Sequence, residues 1–163
     1  MPSESPPITA AYAASSGVLV TGAPGFAGSA IVSCLMHLKQ AATALSCRRK
    51  KAESRSIPAI SGSLFDPEAL DAGPAAKRAV IHLLGLIRPI ADVKLRRIHV
   101  DGRQAVLAAA RRDVVRQIIH LSARGARPDA VSEYHKRIFL SEESGWGSEF
   151  FQMESDRDSA ADR

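Results

Sequence analysis

Aromatic residues make up only 5% of this 163-residue chain, with one Trp, two Tyr and five Phe. That scarcity leaves few platforms on which bases could stack, and no nucleic-acid-binding module is visible. DNA and RNA therefore drop out as partners, despite a formal charge of +5. Cysteine is equally sparse. Cys34 and Cys47 have neither the spacing of a metal site nor the number a disulfide framework needs, so both are expected to be reduced thiols in the cytoplasm. No apolar run reaches the roughly 20 residues of a bilayer-spanning helix, which excludes a transmembrane segment. The five histidines lack the paired spacing of a metal site, and no metal is expected.

The two ends are poor in core-forming residues. Residues 1–16 are rich in Ser, Pro and Ala and contain no Lys or Arg, which argues against a secretory signal or a mitochondrial presequence. They read as a disordered leader. Residues 144–163 are polar, mix both charges and have few apolar side chains after Phe151, so they read as a disordered tail. Between them, residues 17–143 are long enough for one core and too short for two.

What is present there is a glycine-punctuated junction, Val18-Leu-Val-Thr-Gly-Ala-Pro-Gly-Phe-Ala-Gly28. A short apolar strand runs into a tight turn at Gly22, a missing side chain at Gly25 admits a phosphate to the backbone, and Gly28 lets a helix lie close to the sheet. The helix that follows carries Ile31, Val32, Leu35, Met36 and Leu38 at spacings of three and four, an apolar stripe in which Cys34 also lies. Its N-terminus offers free N–H groups and a partial positive charge to an anion.

Further strands are expected at Ala41–Ser46, Ile57–Ile60, Ala79–Leu84 and Gln117–Ser122. Near-continuous apolar runs of this kind suit a parallel sheet covered on both faces. Asp66-Pro67-Glu68 reads as the cap, first-turn proline and early acid of a short helix. Residues 92–112 read as a longer one, with Leu95, Ile98, Ala105, Val106 and Ala109 at helical spacing. The fold class is α/β: a Rossmann-like, doubly wound parallel sheet in three αβα layers.

The glycine loop, Ala79-Val-Ile-His-Leu-Leu-Gly-Leu-Ile-Arg88, Ile98-His-Val-Asp-Gly102, Ile118-Ile-His-Leu-Ser-Ala-Arg-Gly-Ala126 and Ser132-Glu-Tyr-His135 follow one another in a telling order. As a set, from Gly17 to Glu143, they resemble the extended or atypical short-chain dehydrogenase/reductases. Within these, the resemblance is to NAD(P)-binding epimerase/dehydratase-like proteins related to the nucleotide-binding accessory subunit of respiratory complex I. It implies that Gly22, Ala23, Pro24, Gly25, Phe26, Ala27 and Gly28 form the pyrophosphate loop. It also implies that Leu83, Leu84 and Gly85 pass beside the adenosine and its ribose, and that Ser122 lies near the nicotinamide. Ser63-Leu64 stands where the family commonly has Asp-Leu at the adenine.

Cofactor choice falls to the end of the second strand. Cys47-Arg48-Arg49-Lys50-Lys51 offers no carboxylate for a ribose 2′-OH before Glu53, and either Arg48 or Arg49 could fork onto a 2′-phosphate. NADP(H) is therefore expected over NAD(H). The resemblance also implies a catalytic Tyr with a Lys four residues on, sharing a helix face. Tyr134 is present, but the fourth position on is Ile138. Lys136 falls toward the opposite side of a helix, and Arg137 could face Tyr134 without relaying a proton. An Asn frequent in the preceding helix is replaced by Ala105. Relatives continue past the Tyr helix into a substrate-binding region, whereas this chain ends about twenty residues later. The expectation is a dinucleotide-binding domain with reduced or absent catalysis, with a protein partner or second copy left open. The alternatives are an active NADP-dependent oxidoreductase or epimerase using Tyr134, and an assembly protein that keeps only the fold.

Overall fold

The structure, a computed structural model, describes residues 17–47, 57–86 and 94–143. Five strands form the sheet: β1 (Val18–Thr21), β2 (Ala42–Ser46), β3 (Ala59–Ser61), β4 (Ala79–His82) and β5 (Gln117–His120). Helix α1 (Phe26–His37) links β1 to β2, and α2 (Pro67–Ala72) lies between β3 and β4. A π-helical stretch, Arg97–Gly102, runs into α3 (Arg103–Arg112) before β5, and α4 (Glu133–Glu143) follows it.

The strand order is β3-β2-β1-β4-β5 and every pairing is parallel. After β1 the chain moves outward through β2 to β3, then returns across the sheet to place β4 on the other side of β1. That reversal opens a crevice at the carboxyl ends of β1 and β4, the place where open α/β sheets take ligands. Alternation along β1 sends its side chains to two cores. Leu19 joins Val80, Ile118 and the α3 residues Val106, Leu107, Ala109 and Ala110 on one face, while Val18 and Val20 join Ala44, Ile81 and Val32 of α1 on the other. The result is the expected three-layer αβα arrangement. Each fully buried Val or Leu contributes about 1.5–3 kcal/mol relative to exposure, so the central strands carry much of the stability.

Local chemistry explains the element ends. Asp66 caps α2, its Oδ1 accepting from Glu68 N–H at 3.2 Å and Ala69 N–H at 3.5 Å, with Pro67 in the first turn as anticipated. The third strand starts at Ala59 rather than Ile57 because Pro58 has no N–H to give the ladder. Both β4 and β5 stop two residues short of expectation, at His82 and His120. The α1 stripe is narrower than its spacing suggests. Val32 is buried and Ile31 and Leu35 half-buried, but Met36 is 43% and Leu38 59% exposed, and Cys34 faces solvent. Leu38 closes the helix, and Lys39 follows it with φ 54°, just before the chain enters β2 at Ala42. The long helix also departs from regular α geometry, since its first turns widen into the π-helical stretch that carries His99. The leader and tail lie outside the described residues.

Candidate functional site

The three loop glycines do different work. Gly22 has φ +75°, and a Cβ there would stand 2.8 Å from Leu84 N and 2.9 Å from the Leu83 carbonyl carbon. Position 22 needs glycine both for its left-handed backbone and for the chain passing beneath it. A Cβ at Gly28 would collide with the Gly22 carbonyl oxygen and lie 2.7 Å from Ala23 Cα, so this glycine lets α1 dock on the turn. Gly25 is exposed, and a Cβ there would meet only Gly22 O, at 3.1 Å. It is the open position of the three.

Gly25 is also the N-cap of α1. It brings no capping side chain, the first turn has no acidic residue, and the first intrahelical bond runs from Ser29 N–H to Gly25 O at 3.0 Å. The amides of Phe26, Ala27 and Gly28 precede that bond, leaving a helix N-terminus with positive character and no internal counter-charge. Ala23 is buried, Pro24 and Ala27 are half-buried, and Phe26 is 98% exposed at the same corner.

The structure joins this loop to the end of β4. Leu83 N–H donates to Thr21 O at 3.2 Å, carrying the chain one step beyond the ladder and against Gly22. Leu83 and Leu84 then turn into opposite cores and Gly85 emerges at the surface. Ser63 lies exposed after β3, its Oγ accepting from Phe65 N–H at 3.1 Å. Leu64 is buried among core residues, so only its main chain could meet a ligand. Arg48 and Arg49 lie outside the described residues.

Ser122 is half-buried two residues beyond β5, and Tyr134 is half-buried in the first turn of α4. The Tyr134 ring lies edge-on to His99 at 5.5 Å and to His135 at 5.1 Å between centroids. Ile138 is 2% exposed, so the position four residues on is a core position. Lys136 and Arg137 both turn to Glu133: Lys136 Nζ is 3.6 Å from its Oε1, and Arg137 donates to its Oε2 at 2.9 Å.

The sequence pattern, in which the histidines show no metal-site spacing, did not reveal the polar row that His82 and His120 form. Thr21, His82 and His120 are register partners across β1, β4 and β5. Thr21 Oγ1 lies 2.7 Å from His82 Nδ1, and the two imidazoles stack with centroids 5.6 Å apart. The repeated triplets Ile81-His82-Leu83 and Ile119-His120-Leu121 were the available signal. Buried Arg103 acts electrostatically on both imidazoles, and buried Glu142 on Arg103. Burial drives the His82 pKa down to about 3, reinforced by His120, Arg103 and His99. The His120 pKa also falls to about 3, first through burial and then through Arg103. Both imidazoles are neutral at pH 7. Burial lowers Arg103 to about 10 against the pull of Glu142, which leaves the guanidinium charged. Among the described residues no group of three or more His, Cys, Asp or Glu is placed to hold a metal, and no helix is long and apolar enough to cross a membrane.

Comparison with known proteins accords with this architecture. A short-chain dehydrogenase/reductase superfamily protein from Agrobacterium tumefaciens, solved with bound NAD, superposes with a TM-score of 0.66 at 24% identity, covering 77% of this chain and 43% of its own. A UDP-glucose 4-epimerase from Thermotoga maritima, solved with UDP-glucose, gives 0.70 at 20% identity, covering 84% and 54%. The enzyme WbmG of Bordetella bronchiseptica, in complex with NAD and UDP, gives 0.69 at 16%, covering 85% and 52%. The chain thus spans about half the length of these structures, and at such identities they speak for the fold alone. No curated protein sequence matches the chain. The profile of the NAD dependent epimerase/dehydratase family, however, matches residues 18–138, from the first strand of the sheet to the buried position after Tyr134. The chain belongs to that family, and its sheet is the Rossmann-like doubly wound one expected from its sequence.

Proposed function

We propose that the chain binds a nicotinamide dinucleotide across the crevice at the carboxyl ends of β1 and β4, with reduced or absent hydride-transfer chemistry. The observation that carries this reading is the uncapped, acid-free N-terminus of α1 beside an open Gly25. A pyrophosphate placed there accepts hydrogen bonds from first-turn amides and gains from the helix dipole. Gly22 to Gly28 hold the pyrophosphate, Leu83, Leu84 and Gly85 line the adenosine side with Ser63 and Leu64, and Ser122 faces the nicotinamide. The family match and the NAD bound in similar folds support the cofactor class. NADP(H) preference rests on Arg48 and Arg49 in sequence.

Reduced catalysis is supported by the occupants of α4. Proton transfer through Tyr134 calls for a cation that lowers its pKa from the same helix face. Position 138 offers a buried isoleucine, and the cations at 136 and 137 are engaged by Glu133. We also infer a cytoplasmic location, supported by the two free thiols, and a protein partner or second copy, supported by exposed Ile119 and Leu121 along β5.

Calorimetric titration of the chain with NADPH and with NADH tests the assignment. Tight binding of NADPH, several-fold weaker binding of NADH and no turnover on carbonyl or nucleotide-sugar substrates are expected. Turnover lost on Tyr134→Phe would favour the active-enzyme reading, and no binding of either nucleotide at millimolar concentration would leave only the assembly role. Replacing Arg48 and Arg49 with Ser should weaken NADPH by about tenfold and leave NADH within about twofold, the difference that charge-assisted bonds to a 2′-phosphate make. Equal losses would remove the 2′-phosphate assignment.

A further inference from the structure

His99 belongs to no motif picked out for binding or catalysis, yet it touches both halves of the site. It projects from the π-helical stretch and is almost wholly buried. Its Nε2 lies 2.8 Å from Leu86 O and 3.2 Å from Leu86 N, so either neutral tautomer finds its partner on the same residue. One tautomer donates to the carbonyl and the other accepts from the amide. The imidazole also occupies the space a side chain at 85 would need, since a Cβ on Gly85 would stand 2.9 Å from His99 Cε1. On its other side the ring meets Tyr134 at 78°, with centroids 5.5 Å apart. The loop after β4 and the first turn of α4 are thus held against one imidazole.

We propose that His99 is a positioning residue for the dinucleotide site, fixing the Leu83–Leu86 backbone and the Tyr134 ring in one arrangement. The inference rests on the dinucleotide reading above. The loop after β4 has left the ladder; Leu83 and Leu84 are held by the two cores, while the main chain at Leu86 is held by His99, so this anchor inside the protein sets how well the far part of the loop is preorganised. Tyr134 gains from the same ring a buried aromatic edge where its helix face offers no lysine. His99 acts through the loop and the tyrosine and touches no ligand itself.

The test uses the full chain. His99→Leu removes the polar anchor while keeping apolar bulk, and His99→Gln restores a donor and an acceptor at similar reach. Dissociation constants for NADPH and NADH are measured for both and for a core control, Val115→Ala, which destabilises the fold at the amino end of β5, opposite the loop. His99→Leu should lose about tenfold in affinity, as one hydrogen bond is worth, His99→Gln should stay within about threefold, and the control should bind as the parent does. If His99→Leu does not fold, nuclear magnetic resonance of the parent decides. Saturation with NADPH should shift the His99 imidazole together with the Gly85 and Leu86 amides, and a static His99 resonance would overturn the proposal. A parent that binds neither nucleotide sinks the dinucleotide reading and this inference with it. A parent that binds, alongside a His99→Leu variant within twofold of it, sinks the inference alone.

Discussion

A single methyl group decides between two failures at the glycine loop. A Cβ at Gly25 meets one atom, Gly22 O at 3.1 Å, which a small shift relieves, whereas one at Gly28 collides with the backbone of Gly22 and Ala23. Gly25→Val should therefore keep the fold, at a cost of about 1 kcal/mol for a poor N-cap, while reducing dinucleotide affinity at least a hundredfold, which thermal melting and calorimetry together would show. Gly28→Val should lose the fold, because its Cβ meets the backbone of Gly22 and Ala23 and no side chain can move aside. Gly25→Val binding at parental affinity would show that the loop is only a turn. The sequence pattern names all three glycines alike. Only the backbone course, with Leu83 and Leu84 passing under Gly22, separates the position open to a ligand from those the chain itself requires.

Helix α4 is where a motif and its surroundings part. Restoring lysine at 138 looks, from sequence, like repair of a catalytic pair. In the fold Ile138 is a core side chain, packed between neighbours that have shaped themselves around a hydrocarbon. Ile138→Lys should lower stability by about 3 kcal/mol, as burial of an unpaired ammonium does, and produce no hydride transfer. Denaturant midpoints and cofactor turnover check the two halves, and recovered turnover in a stable variant would refute the account. Periodicity and cap signals placed the five strands and the first three helices to within a few residues, because strands buried on both faces advertise themselves through unbroken apolar runs, whereas α4 was expected only through the family resemblance. Periodicity overreached where the chain leaves a regular pattern for a tertiary reason. Met36 and Leu38 follow the helical stripe in spacing yet stay exposed, and the π-helical widening at Arg97–Gly102 has no signature in composition.

At the scale of the whole molecule, a neutral polar row inside an otherwise apolar face links stability to pH. His82 titrates near 3 when folded and near 6.5 when unfolded, so between those values the unfolded chain holds more protons and stability falls as pH falls. The contribution is complete above pH 6.5. It diminishes by about 2 kcal/mol for this one residue on going to pH 5, with His120 adding a loss of the same sign. Urea unfolding from pH 8 to pH 4 should show this slope, and His82→Gln should flatten it. A parental profile flat to pH 5 would mean the imidazoles reach water. The groups facing His82 come from three separate segments, Thr21 from β1, His120 from β5, and His99 and Arg103 from the long helix, which explains why no local motif announces the row.

The depth of that row has a chemical consequence as well. An acylating reagent in the solvent can reach exposed His37 at once, whereas His82 stays shielded until β4 and the helices above it separate. The lag before His82 is modified is therefore a clock for opening of the sheet, and a tightly held ligand bridging β1 and β4 would slow it.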